Sequence, residues 1–289
     1  MMKKFLSMIL AAAMLLTLAA CSNNTKNDVE DQAGSANSQA DSGKSDKNGS
    51  GSQTTSDLQY VLDKGKLVVG VTDFAPMDSK NDKGEWVGFD ADMAKAFAKS
   101  LGVEAEFVEI EWDNKIMELG NKSIDCAWNG MTLTDDVLAA MECTNPYMNN
   151  QQIVVVPASK ADKYKTIEAC SKLNFAVESG SAGEKVIKEL KYNCTPVQNQ
   201  ANALTEVKSG TCDAAVIDSL MAAAMVGEGT GYADLTYTVG LNDEKYGVGF
   251  RKGSDLAAKL NEFFKTSYAD GTMTKVAEQY GVTKALIEQ

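Results

Sequence analysis

Apolar and polar positions in residues 67–280 alternate between two spacings, one of strands and one of helices. Leu67-Val68-Val69-Gly70-Val71 is a short apolar run that predicts a buried strand. Over 90–101, Met93, Ala94, Phe97 and Leu101 recur at helical spacing and share one face. Residues 103–110 alternate as a strand, 114–119 open another amphipathic helix, and 124–127 form a third strand. Strands alternating with helices imply a mostly parallel sheet covered on both faces.

After Asn145-Pro146-Tyr147, a β-branched run over 152–157 leads into a second copy of this grammar. It has a strand at 175–177, helices at 182–190 and 201–208, and a strand at 214–217 that ends in Asp218-Ser219. Residues 246–250 supply a further strand, and helices over 256–268 and 273–280 close the chain. If the strand at 246–250 returns to the first group, two crossings near 151–157 and 243–249 join two lobes as a hinge. The predicted fold class is therefore α/β, two α/β lobes joined by a two-strand hinge. Lobe 1 is expected over 58–152 plus 245–289 and lobe 2 over 153–244. A ligand cleft belongs between them, at the carboxyl ends of strands, where hinge closure buries a solute.

The chain ahead of these lobes follows a different logic. Lys3 and Lys4, an apolar run over 5–17 and small residues before Cys21 read as an export signal over 1–20, too short for a spanning helix. A plain cleaved signal is one reading. Leu18-Ala19-Ala20-Cys21 followed by Ser22 also resembles the lipobox of bacterial lipoproteins, which implies that Cys21 becomes a multiply acylated first residue. The lipid anchor would hold the protein on the extracytoplasmic face of the cell membrane. Residues 21–57 read as a flexible tether, because Val29 is the only β-branched aliphatic residue over 22–56.

Composition narrows the chemistry. With 28 basic against 40 acidic side chains and no local basic patch, a nucleic-acid partner is set aside. The chain has no histidine, which excludes Ser-His-Asp and Cys-His machinery and removes the commonest metal ligand. No catalytic residue, metal or cofactor is expected. Ser181, in Gly180-Ser181-Ala182-Gly183, lacks the leading glycine of a nucleophile elbow. Besides Cys21 there are five cysteines, an odd number. Cys126 lies in an apolar strand and reads as a small buried hydrophobe. A Cys170 to Cys194 bridge is permitted by export, as are free thiols.

Binding is better served than catalysis. Phe74 and Trp112 each follow a strand and stand among polar residues, as ring faces flanking a cleft or as loop packing. Gly180 and Gly183 stand at a helix start, either as a turn that presents backbone N–H groups, with Ser181 adding a hydroxyl, or as an ordinary cap. Asp218 ends a buried strand, so its carboxylate must be solvated, hydrogen-bonded or paired with a cation, for which a ligand ammonium is a natural partner, unless it is a helix cap. Glu178, just before the turn, faces the cleft or solvent.

These segments also carry a resemblance. Lys66-Leu67-Val68-Val69-Gly70, Gly88-Phe89-Asp90-Ala91-Asp92, Ile124-Asp125-Cys126-Ala127-Trp128-Asn129-Gly130-Met131-Thr132, Asn145-Pro146-Tyr147, Tyr246-Gly247-Val248-Gly249-Phe250-Arg251-Lys252-Gly253 and Asp270-Gly271-Thr272 are similar, in order and spacing, to the family 3 extracellular solute-binding proteins, the polar amino-acid-binding lipoproteins of ABC importers. The resemblance implies a periplasmic-binding-protein-like fold and a monomer that delivers a small polar amino acid or related amine to an ABC permease. It implies aromatic faces at Phe74 and Trp112, an ammonium acceptor at Asp218, and carboxylate donors at Gly130, Thr132, Ser181 and Ala182. The family's carboxylate-binding arginine falls on Val137 here. Alternatives are a binding module feeding a sensor or partner protein, and a dehydratase-like enzyme on the same scaffold.

Overall fold

The computed structural model describes residues 56–289. The export signal, Cys21 and the tether up to residue 55 lie outside the described residues. Ser56 and Asp57, assigned to the tether from sequence, belong to the fold instead. Ser56 caps α1 (Asp57–Lys64), and Asp57 pairs with Arg251, Nη2 to Oδ1 at 3.0 Å.

Strand β1 (Lys66–Val71) leads to the short ribbon β2 (Ser79–Lys80) and β3 (Trp86–Val87), then to α2 (Phe89–Leu101) and β4 (Glu104–Glu109). Helix α3 (Lys115–Gly120), β5 (Cys126–Thr132), α4 (Asp135–Ala140) and β6 (Met141–Cys143) follow. The long strand β7 (Met148–Pro157) opens the second group: β8 (Asn174–Glu178), α5 (Ala182–Glu189), β9 (Asn193–Val197), α6 (Gln200–Ser209), β10 (Ala214–Asp218) and α7 (Ser219–Met225). Then β11 (Leu235–Arg251) returns, and α8 (Leu256–Ala269) and α9 (Thr272–Gln279) pack at the end.

The strand order is β4-β1-β5-β11-β7-β10-β8-β9. On one side β4, β1 and β5 are parallel; on the other β10, β8 and β9 are parallel. Between them β11 and β7 run antiparallel to each other and to their neighbours. The two α/β lobes expected from the alternation are present, and β7 and β11 are the crossings.

The inner strands β1, β5, β8 and β10 are buried on both faces, while the edge strands β4 and β9 are partly exposed. Period two survives in how they pack: Leu67, Val69 and Val71 join one core and Val68 another. In β10, Ala215 and Ile217 face the first core while Ala214 and Val216 face a third. Cys126 is fully buried and apolar in its surroundings, and all five cysteines among the described residues are free. The Cys170 to Cys194 bridge is absent.

Candidate functional site

Residues at or just after the carboxyl ends of β1, β5, β8 and β10 line a cavity of about 480 Å³, and all seven residues expected at a ligand lie on its wall. The aromatic pair is held from behind. Phe74 packs edge-on against Tyr246, ring centroids 6.3 Å apart, and both rings are buried. Trp112 sits in a single 3-10 turn, Trp112–Asn114, and carries the Lys115 ammonium 4.8 Å from its ring centroid. The two alternatives for these rings are thus both realised, since each is packed into a core and each meets the cavity.

Gly130 lies at φ 53, and a Cβ there would come within 2.3 Å of Phe74 Cε1. Only glycine lets the chain pass under that ring. Its N–H donates to the buried Asp90 Oδ2 at 2.6 Å. Gly130 therefore cannot offer its N–H to a ligand carboxylate, because the buried Asp90 has taken it.

Asp218 is almost fully buried, yet its side chain makes no helix-cap bond. Its Oδ1 accepts from Asn150 Nδ2 at 2.5 Å and from Gln152 Nε2, and its Oδ2 accepts from Gln200 Nε2 at 2.6 Å. These donors are neutral, so the charge is hydrogen-bonded without being balanced. Burial, with Glu244 adding repulsion, pushes the carboxyl up to about 7. Glu244 Oε2 in turn accepts from Thr132 Oγ1 at 2.9 Å, from Asn150 and from Gln152. The Thr132 hydroxyl proton is thereby committed to Glu244.

The turn before α5 differs from the expected set of free backbone donors. Gly180 N–H donates to Glu184 Oε2 at 3.0 Å, and Ser181 N–H to Glu178 O at 3.2 Å. Ser181 Oγ accepts from Glu184 N–H at 3.0 Å, completing a reciprocal cap. The cap takes the Gly180 amide and the turn takes that of Ser181, because a buried helix start satisfies its own donors first. Ser181 keeps a hydroxyl proton, and Ala182 opens the first helical turn at the cavity wall.

Val137 also lines the cavity. The chain's single arginine, Arg251, pairs with Asp57 and does not replace the missing cation. Three lysines line the cavity instead. Lys185 pairs with Asp136, and Lys188 with Glu184 at 2.7 Å. Lys115 donates to Trp112 O at 3.1 Å and Gly180 O at 3.0 Å, and burial lowers its pKa against the pull of Glu178. Asn150, Gln152, Gln200, Glu244 and Lys115 were missed from sequence. Asn150 and Gln152 had left a signal, being two apart in a β-branched strand and so on one face.

Comparison with known proteins agrees with this architecture. A probable histidine-binding protein of Neisseria gonorrhoeae is 30% identical over 220 residues, 74% of this chain and 81% of its own. Other relatives are named for binding glutamine, arginine and cystine. A mutant of ArgBP from T. maritima superimposes with a TM-score of 0.73 at 30% identity, covering 78% of this chain and 98% of that one. An ancestral amino acid-binding protein, described as a precursor of cyclohexadienyl dehydratase, gives a TM-score of 0.71 at 35% identity over 78% and 99%. The family model for bacterial extracellular solute-binding proteins, family 3, matches residues 67–283, and the chain belongs to that family.

Proposed function

We propose that the protein is the extracytoplasmic substrate-binding lipoprotein of an ABC importer, taking a small polar amino acid or related amine into the cavity and delivering it to the permease. The observation that carries this reading is Asp218, a buried carboxylate on the cavity wall whose partners are all neutral amides. Such a group gains most from a ligand ammonium. The relatives' amino-acid specificities support the same class. We assign lobe 1 to 58–152 plus 245–289 and lobe 2 to 153–244, with Phe74, Trp112, Thr132, Ser181, Ala182 and Asp218 as ligand contacts. Gly130 shapes the floor. Cys21 carries the lipid, the protein acts as a monomer, and binding involves no chemical step.

Calorimetric titration of the purified protein with amino acids and their decarboxylated amines tests the proposal. Saturable binding that Asp218→Asn largely abolishes is expected; an unchanged affinity in that variant rejects the pairing. Val137→Arg reads the carboxylate. It strengthens binding of an α-amino acid through two charge-assisted bonds, and weakens binding of an amine that has no carboxylate to meet the new charge. A second reading, an acid–base enzyme, is favoured by the dehydratase precursor among the structural neighbours and by the near-neutral pKa of Asp218. Turnover of any bound ligand decides for it.

A further inference from the structure

The cavity wall carries more negative charge than a single ammonium balances. Glu178 ends β8 and Asp218 ends β10, and these strands are parallel neighbours, Phe175 opposite Ala214 and Ala176 opposite Ala215. Both strands therefore stop at the same end of the sheet, Glu178 one position short of Asp218 in register, and both carboxylates line the cavity, each 3% exposed. Asp218 has its amide partners. Glu178 has none at Oε1, which is buried and has no hydrogen-bond partner among the described residues.

Every element around Glu178 contributes a charge to the balance. From α3, Lys115 attracts it, but its ammonium is bonded to the Trp112 and Gly180 carbonyls. From β10, Asp218 repels it, and from β11, Glu244 repels Asp218. From α5, Glu184 is bonded to Gly180 N–H and Lys188, while Lys185 is bonded to Asp136. Thr72 and Gln200 stand near the Glu178 carboxylate as neutral polar groups. With Glu184 paired to Lys188, three buried carboxylates, Glu178, Asp218 and Glu244, thus meet one buried ammonium, that of Lys115. A buried carboxylate left without a partner costs several kcal/mol unless it takes up a proton or a cation.

We propose that Glu178 is a second anionic contact beside Asp218, and that the two together select a ligand with two cationic groups, such as a basic amino acid or a diamine. The inference rests on the binding function proposed above and names its substrate class. One cation answers the neutral-amide pocket of Asp218; the other answers the unpartnered oxygen of Glu178. A ligand with an uncharged side chain of the same shape leaves Glu178 as it is in the empty site, and so gains nothing there. Burial, reinforced by Asp218, pushes the Glu178 carboxyl up to about 8, so near neutral pH it holds a proton that an entering cation displaces.

The test uses L-arginine and L-citrulline, which match in shape and differ in the charge of the side chain, on the full chain and on Glu178→Gln. The wild type is expected to bind arginine at least about tenfold more tightly than citrulline, and the variant to bring the two within about threefold. Proton release on arginine binding, read by titration in buffers of different ionisation enthalpy, is expected to fall in the variant. Without ligand, Glu178→Gln is expected to melt no lower than the wild type, since glutamine keeps the shape and replaces a carboxyl that burial already holds protonated. A preference for arginine that survives the substitution overturns the inference, as does a wild type that binds a neutral amino acid and excludes arginine. In both cases the binding function stands. A wild type that binds no amino acid or amine at all overturns the function and the inference together.

Discussion

At the scale of single residues, the site is built from carboxylates that the fold desolvates. Burial raises Glu178 to about 8 and Asp218 and Asp90 each to about 7, and it raises Asp78 as well. All four therefore bind protons more tightly in the folded than in the unfolded chain. The sign of the linkage follows: the stability these protons contribute is complete below the ordinary carboxylate range and is lost as pH rises through the folded values. The ligand-free protein is expected to melt at progressively lower temperature between about pH 5 and pH 8. Glu178→Gln removes one contributor, so its melting temperature relative to the wild type rises across the same window. A difference that is flat with pH would mean that Glu178 is ionised and solvated in the empty site. The identity of Asp218 as a strand-end acid was legible in sequence, but its three amide partners come from β7 and α6, where no local pattern joins them to it.

At the scale of elements, the path of β5 decides where the ligand floor lies. Sequence periodicity ends the third strand at residue 127, whereas β5 runs on through Asn129, Gly130 and Met131 to Thr132. Asn and Gly are poor strand formers, so periodicity alone gives no strand in this polar stretch. Partners in tertiary structure hold it extended: Asn129 is bonded to Thr72 and Asp78, and Gly130 to Asp90. The same cause hid most of β11, where only residues 246–250 carried an apolar signal while the remainder pairs with β7 over a polar surface. Buried apolar strands and amphipathic helices were legible since burial writes their period, and the crossings were legible in their apolar parts; the edge strand β9 and the polar length of β11 were not, since their pairing depends on distant chain. Gly130→Ala tests the β5 floor. A Cβ at φ 53, 2.3 Å from the Phe74 ring, forces the ring or the strand aside. A loss on the order of 3 kcal/mol in chemical denaturation is expected, with weaker ligand binding. A variant that keeps both stability and affinity would place the Phe74 ring away from the floor.

At the scale of the whole molecule, with the lobes assigned as above, three hydrogen bonds or ion pairs among the described residues pass from one lobe to the other without involving the crossing strands β7 and β11. Lys115 Nζ reaches Gly180 O at 3.0 Å, Lys185 meets Asp136, and Gln198 Nε2 donates to Glu111 Oε1 at 2.9 Å. The first two line the cavity, so removing them changes ligand contacts and closure together. Gln198 and Glu111 lie outside the cavity wall and separate the effects. If binding selects the closed arrangement, apparent affinity scales with its population. Loss of one exposed hydrogen bond at the rim then lowers affinity by about two- to fivefold. Gln198→Ala is expected to weaken every ligand by the same factor, mainly by faster dissociation, because the bound molecule is not touched. Glu111→Ala is expected to match it, and the double variant to add nothing, because both remove one bond. Stopped-flow dissociation with two ligands of different charge reads all of this. Unequal factors for the two ligands, or additive effects in the double variant, would show that these side chains do not act as one clasp.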